Sequence, residues 1–374
     1  MPNIQNHAIE IGHLSLEEHP FDELDALILS QLVYLPLEGF LAPGGTCTIE
    51  EAGEYIRENV TVNPLDTFQK KRYDLFETCA ELPRYAYWEI SGYASEIDEK
   101  REMQFCACTY DLHNGSRCIA YRGTDMTLVG WKEDFNMSYT TVPSQHVAAE
   151  YIRRTAQGHG DILYLCGHSK GGNLAVYASA VTDASTRERI RRVYSFDAPG
   201  VDEETLNSRG YQLVSERIDS YLPQSSIVGM LLNYHPVYTV VKANTLAVLQ
   251  HDTMSWQVRD GAFVKLAGVD RISSITDETV HAWLAGIELE ERRFLVDTLY
   301  RIVASSQADL VTDMVEDWKE SANSMLEAVR GLHADERKKI RQMLRALFAT
   351  GANEVVETIL QALVNRERKD EKGE

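Results

Sequence analysis

Apolar side chains recur every three or four positions early in the chain. Phe21, Leu24, Leu27, Ile28 and Leu32 make one stripe, as on an amphipathic helix, and Pro36 ends the pattern. A second short helix is predicted over Ile49 to Asn59. From Ala86 the period shortens to two. Tyr87 to Tyr93, Gln104 to Asp111 and Arg117 to Tyr121 are rich in aromatic and β-branched residues and read as strands. His113-Asn114-Gly115-Ser116 supplies the hairpin turn between the last two, and a two-residue turn at Asn114-Gly115 would set Cys118 opposite Asp111.

The middle of the chain then alternates. A helix over Ser144 to Ala156 ends at Gly158. The strand Ile162 to Cys166 runs into a glycine-rich turn, and a small-residue helix continues through Ala180. Strands follow at Arg192 to Phe196 and Arg217 to Leu222, with a β-rich stretch from Tyr238 to Val258. Strands separated by helical segments of this length predict a mainly parallel sheet covered by helices on both faces. From Asp277 to Asn365 the pattern is helical, with Thr276 as N-cap and stripes such as Trp283, Ile287, Phe294, Leu295 and Leu299. The expected organisation is an N-terminal helical segment over 1–85 packed on the core, an α/β catalytic core over 86–275, and a helical C-terminal extension over 276–374.

Composition narrows the class of partner. The net charge of −20 repels phosphate backbones and anionic headgroups, so nucleic-acid binding is not expected. No run reaches the roughly 18 apolar residues of a spanning helix, and Met1 to His13 has neither a basic start nor a long apolar stretch, so the chain reads as cytoplasmic. Six cysteines are few for 374 residues, and several sit within strand-like runs where buried free thiols are common. Neither a zinc site nor another cofactor is expected.

The chemistry concentrates at Gly167-His168-Ser169-Lys170-Gly171. This G-x-S-x-G run lies where an apolar strand passes into a helix, a setting that exposes the serine hydroxyl at the sheet's upper edge with a helix N-terminus behind it. A tetrahedral intermediate needs two donors for its oxyanion. The backbone NH of Lys170 is one; Thr124, at the end of the strand-like Ile119 to Asp125, supplies the other.

Tyr-Arg-Gly-Thr-Asp, then Gly-His-Ser-Lys-Gly-Gly-Asn-Leu-Ala, then Ser-Phe-Asp-Ala-Pro-Gly resembles the class 3 lipase branch of the α/β-hydrolases. The chain is more closely similar to a bacterial family of lipase-like hydrolases of unassigned function, through Gly130-Trp131-Lys132-Glu133-Asp134-Phe135 and Gln224-Ser225-Ser226-Ile227-Val228-Gly229, over roughly Asp25 to Leu299. The resemblance implies an α/β-hydrolase fold, Ser169 as nucleophile, Thr124 and Lys170 as oxyanion donors, and the chain order Ser-Asp-His.

Class 3 lipases place their acid where this chain has Ser226. Asp197, at the end of the strand after the nucleophile helix, is preferred in its place, with Asp219 as rival. Chain order leaves His235, His251, His281 and His333 as bases. His251 is preferred because it follows an apolar run and precedes Asp252 and Trp256, matching the family's His-Asp then Trp pattern, with His235 second. Trp131, Phe135, Ile227, Val228, Met230, Leu231 and Leu232 are candidates for an acyl pocket or lid. The expected activity is cleavage of a small-molecule or lipid carboxylic ester through an acyl-enzyme on Ser169; the alternative is a silent binding or regulatory module that keeps the hydrolase fold.

Overall fold

The computed structural model of the chain describes residues 1–269, apart from 43, 62–66, 125–132, 135, 138–139, 158–160, 227, 231–234 and 246. Beyond 269 it describes five helical positions: Glu290, Phe294, Thr298, Gly331 and Glu336. The chain divides into two compact units, one formed by Met1–Asp125 with Thr140–Ser274, the other by Met126–Tyr139 with Ile275–Glu374. In the second unit Thr298 returns its hydroxyl to the Phe294 carbonyl at 2.7 Å, a bond within one helical turn. The other positions of the expected C-terminal helices lie outside the described residues.

The first unit opens with α1 (Ile4–Ile11), α2 (Glu23–Leu32), β1 (Thr46–Thr48), α3 (Ile49–Asn59), α4 (Thr67–Glu81) and α5 (Pro83–Ala86). Three of these helices begin with reciprocal caps. Asn3 and Asn6, Asp22 and Asp25, and Thr48 and Glu51 each exchange side-chain and backbone bonds across the first turn, satisfying amides that a helix start leaves without intrahelical partners. Asp25 is fully buried and receives Arg84 Nε at 3.0 Å, Arg84 Nη2 at 2.6 Å and the Tyr85 hydroxyl at 2.9 Å, which ties α2 to α5. Breaking one side of such a pair would strand a charge in the interior.

The sheet follows with β2 (Glu89–Asp98), β3 (Met103–Asp111) and β4 (Ser116–Tyr121). After α6 (Pro143–Ala156) come β5 (Ile162–His168), α7 (Lys170–Val181) and α8 (Ala184–Arg189). The unit continues with β6 (Ile190–Phe196), α9 (Glu203–Leu206), α10 (Arg209–Val214), β7 (Ile218–Pro223) and β8 (Tyr238–Val241). Three two-residue strands close the described order: β9 (Val258–Arg259), β10 (Ala262–Phe263) and β11 (Lys265–Leu266). The strands lie in the order β1-β2-β3-β4-β5-β6-β7-β8-β11, while β9 and β10 form a separate ribbon. Neighbours from β4 to β8 run parallel, and the outer strands are antiparallel. This is an α/β fold with a large, mostly parallel sheet flanked by helices, consistent with an α/β-hydrolase-like architecture.

Because consecutive parallel strands are also spatial neighbours, right-handed crossovers bring their helices to one face. There α6 packs against α7, and Tyr151 of α6 meets Thr109, Phe105 and Tyr121. The opposite face is covered by the N-terminal helices. Phe21 lies 4.7 Å from the Tyr164 ring, and Cys106 Sγ approaches the Val33 carbonyl at 3.8 Å. All six cysteines belong to the apolar cluster on this side, each buried and free, with Cys118 Sγ 3.6 Å from Cys166 Sγ. No cluster among the described residues has the ligands for a metal, and no described helix is long and apolar enough to cross a membrane.

Two sequence expectations change. Asp111 pairs with Arg117 and Tyr110 with Cys118, one register step from the expectation, because the hairpin loop has three residues and turns through His113 and Gly115 at φ 57° and 78°. The stretch Tyr238 to Val258 holds only β8 as a full strand; the rest is mainly tight 3-10 turns at Ala247–His251 and Thr253–Ser255. Helix α4 lies within the expected helical segment over 1–85, outside the two helices that the periodicity places there.

Candidate active site

Ser169 sits between the last residue of β5 and the first of α7, with φ 57° and ψ −133°. A non-glycine residue pays for this backbone, and such strain persists only where the surroundings enforce it. Here they do. Ser169 N donates to Phe196 O at 2.9 Å and Gly172 N to Ser169 O at 2.9 Å. A Cβ on Gly171 would collide with the Tyr121 carbonyl, and one on Gly167 with the backbone of Gly171, so strand and helix pass too closely for any side chain. The serine is half-buried and therefore reachable.

Asp197 follows β6 directly, with φ 42°, and only 1% of it is exposed. Its amide donates to Tyr221 O at 2.8 Å, anchoring the strand end. A buried carboxylate needs several donors, and this one has three. His251 Nδ1 lies 2.6 Å from Oδ2, while Oδ1 accepts from Ser226 Oγ at 2.5 Å and from Gly229 N at 3.1 Å. Ser226, where the class 3 lipase resemblance would have an aspartate, thus holds this carboxylate in place.

His251 ends the turn Ala247–His251, and its side chain is 27% exposed. Indole Nε1 of the fully buried Trp256 fixes this turn by donating to Gln250 O at 2.8 Å; Gln250 Oε1 in turn accepts from Ser225 N at 2.7 Å. That contact gives the His-Asp-then-Trp pattern a structural role. Since a carboxylate only accepts, Nδ1 carries the proton in the bond to Asp197, and the neutral ring keeps Nε2 as its basic nitrogen.

His168 buttresses this group from the side. Its Nε2 donates to the His251 carbonyl at 2.9 Å, and the two rings stand 4.4 Å apart. Burial, then the neighbouring His251 and Arg72, hold the His168 imidazole well below its ordinary value, so it stays uncharged. Lys71 of α4 pairs with Asp252 at 2.6 Å and secures the far end of the same turn.

The expected oxyanion donors belong to segments that pass next to the serine. Lys170 opens α7, whose N-terminus favours developing negative charge. Its side chain is buried and donates from Nζ to Gln104 O at 2.9 Å, which leaves the backbone as its contribution near the serine. Thr124 follows β4 and is half-buried; Gly123 before it passes so close that a Cβ there would lie 3.1 Å from Ser169 Cβ.

The structure therefore joins His251 with Asp197, gathers both at the strand ends beside Ser169, and places the Thr124 and Lys170 segments next to that serine. Among the described residues, Ser169 Oγ makes no hydrogen bond to His251. The rival residues go elsewhere: Asp219 lies within β7, 3.5 Å from Arg192, and His235 Nδ1 bonds the Tyr211 hydroxyl at 2.8 Å. His281, His333, Trp131, Phe135, Ile227, Leu231 and Leu232 lie outside the described residues, while Val228 and Met230 belong to a 3-10 turn. The sequence reading missed Ser226 as a donor to the acid, and missed Lys71 and Arg72 on α4.

No curated protein matches the chain. Residues 79–301 match the Mbeg1-like family, a span that contains the serine, the aspartate and the histidine just described. The match covers more than half of the chain, which therefore belongs to this lipase-like family, Mbeg1-like.

Proposed function

We propose that the protein is a serine hydrolase of the α/β-hydrolase type that cleaves a carboxylic ester. In this reading Ser169 Oγ attacks the ester carbonyl and passes its proton to His251 Nε2, while Asp197 steadies the imidazolium through Nδ1. The NH groups of Thr124 and Lys170 stabilise the oxyanion. Collapse of the tetrahedral intermediate expels the alcohol, which takes the proton from His251 and leaves an acyl-serine. Water, deprotonated by the same imidazole, then releases the acid and restores the hydroxyl.

The observation that carries this reading is the 2.6 Å bond from His251 to the buried Asp197, at the sheet edge that holds Ser169 in a strained turn. A serine–imidazole bond often tightens only when substrate enters, so its absence at rest is compatible with this chemistry. Family membership supports it, since the Mbeg1-like family is lipase-like. The missing bond between Ser169 and His251 favours a second reading, a silent module that keeps the hydrolase fold. A panel of p-nitrophenyl esters of increasing chain length separates the two: turnover that disappears in Ser169→Ala supports the enzyme, and inertness toward every ester supports the module.

A further inference from the structure

Helix α4 brings a cation to the serine without supplying a counter-ion. Its neighbours are neutralised, Lys70 by Asp74 at 2.7 Å and Lys71 by Asp252 at 2.6 Å. Arg72 is held by uncharged groups. Its Nε donates to Oε1 of the buried Gln31 at 3.2 Å, and its guanidinium carbon lies 3.6 Å from the centroid of the Tyr34 ring. Among the described residues no carboxylate pairs with Arg72. A guanidinium held through Nε and stacked on a ring has a fixed plane, and its two terminal nitrogens form a fork that matches a carboxylate or phosphate.

The Tyr34 ring on which the guanidinium rests carries its hydroxyl toward the nucleophile. A Cβ on Gly123 would meet both the Tyr34 hydroxyl and Ser169 Cβ, so the phenol and the serine border the same point beside the expected oxyanion donor. The charge of Arg72 also reaches His168, whose ring lies tilted against that of His251 with centroids 4.4 Å apart. A site for a wholly apolar ester has no use for an unneutralised, half-buried guanidinium at this place, least of all in a chain of net charge −20.

We propose that Arg72, stacked on Tyr34, determines specificity, and that the substrate is an ester bearing a carboxylate or phosphate a few atoms from the scissile carbonyl. The anion on the Arg72 fork orients the carbonyl toward Ser169. This inference rests on the serine-hydrolase reading above.

The test compares three p-nitrophenyl esters of matched length in the full chain: the neutral hexanoate, the adipate monoester with its free carboxylate, and the ester of 6-phosphooxyhexanoic acid. Wild type is expected to prefer at least one anionic ester over the neutral one by about tenfold or more in kcat/KM, and the preferred ester distinguishes carboxylate from phosphate. Arg72→Met is expected to lose most of that preference. Arg72→Lys, which keeps the charge without the fork, should fall between and gives the same comparison if the methionine variant does not fold. Labelling of Ser169 by a fluorophosphonate in each variant shows that the site is intact. Equal use of neutral and anionic esters by labelled wild type, or an equal loss on all three esters in labelled Arg72→Met, overturns the assignment while leaving the hydrolase reading in place. Folded wild type with unreactive Ser169 overturns both.

Discussion

Ser226 donates its hydroxyl to Oδ1 of Asp197 at 2.5 Å, while Oδ2 of the same carboxylate meets His251 Nδ1 at 2.6 Å. The two oxygens have separate tasks, one locked to the scaffold and the other facing the imidazole. Ser226→Ala removes one donor from a buried carboxylate, a loss of about 1–3 kcal/mol in its positioning. We expect kcat to fall by roughly tenfold with KM little changed. Steady-state kinetics on any p-nitrophenyl ester that is turned over checks this, and an unchanged kcat would show that the hydroxyl does not orient the acid.

Asp197→Asn should be far more damaging, lowering kcat by about 10³–10⁴-fold, because an amide no longer selects the tautomer with Nε2 as base. Asp219→Asn should leave kcat within about twofold, since Asp219 on β7 faces Arg192 of β6 and makes no bond to His251. Reversal of this order would reassign the acid.

The sheet edge also sets a packing limit. Gly171→Ala places a methyl group against the Tyr121 carbonyl, where neither backbone can retreat. A loss of about 3 kcal/mol or more is expected in chemical denaturation, against under about 1 kcal/mol for Val181→Ala at the exposed end of the same helix.

Much of this arrangement was legible in the sequence. The G-x-S-x-G elbow, the strand ending at Phe196 and the His-Asp-Trp run are local signals, because each depends on residues adjacent in the chain. Helix α4 was legible only as part of a helical segment: its buried residues Tyr73, Phe76, Cys79 and Ala80 do recur at helical spacing, but charged residues fill the positions between them and dilute the stripe. The hairpin register was missed for a different reason. Asn114-Gly115 fits a two-residue turn, yet His113 also adopts a left-handed conformation, stabilised by Asp111 Oδ1 accepting from its amide at 2.8 Å, and lengthens the loop. The bond from Ser226 to Asp197 joins positions 29 apart, and only the parallel pairing of β6 with β7 brings them together.

His168 predicts a pH dependence of stability. Its folded-state value is held below the ordinary 6.5 by burial and by neighbouring positive charge, whereas the unfolded chain titrates normally. The unfolded state therefore binds more protons as the solution is acidified. The contribution is fully present above about pH 6.5 and is lost as pH falls below it toward the folded-state value, with a slope of up to about 1.4 kcal/mol per pH unit. Urea denaturation at pH 7.5 and 5.5 measures this, and His168→Gln should show a shallower decline than wild type. Parallel declines would mean that His168 titrates normally in the folded protein.

The six thiols lie in one apolar cluster, and burial pushes Cys47 up to about 12 and raises Cys79 and Cys108 well above the ordinary thiol value. Thiolate is thus scarce and shielded. A thiol reagent at pH 8 should modify none of them in the folded protein and all six in denaturant; rapid labelling of any one without denaturant would place it outside the core.

The most direct measurement is mass-spectrometric mapping of the adduct formed by a fluorophosphonate probe with the folded chain. The account predicts a single adduct on the peptide carrying Ser169, abolished in Ser169→Ala and strongly slowed in His251→Ala. Absence of label at Ser169 in folded protein, or a rate indifferent to loss of His251, would contradict it.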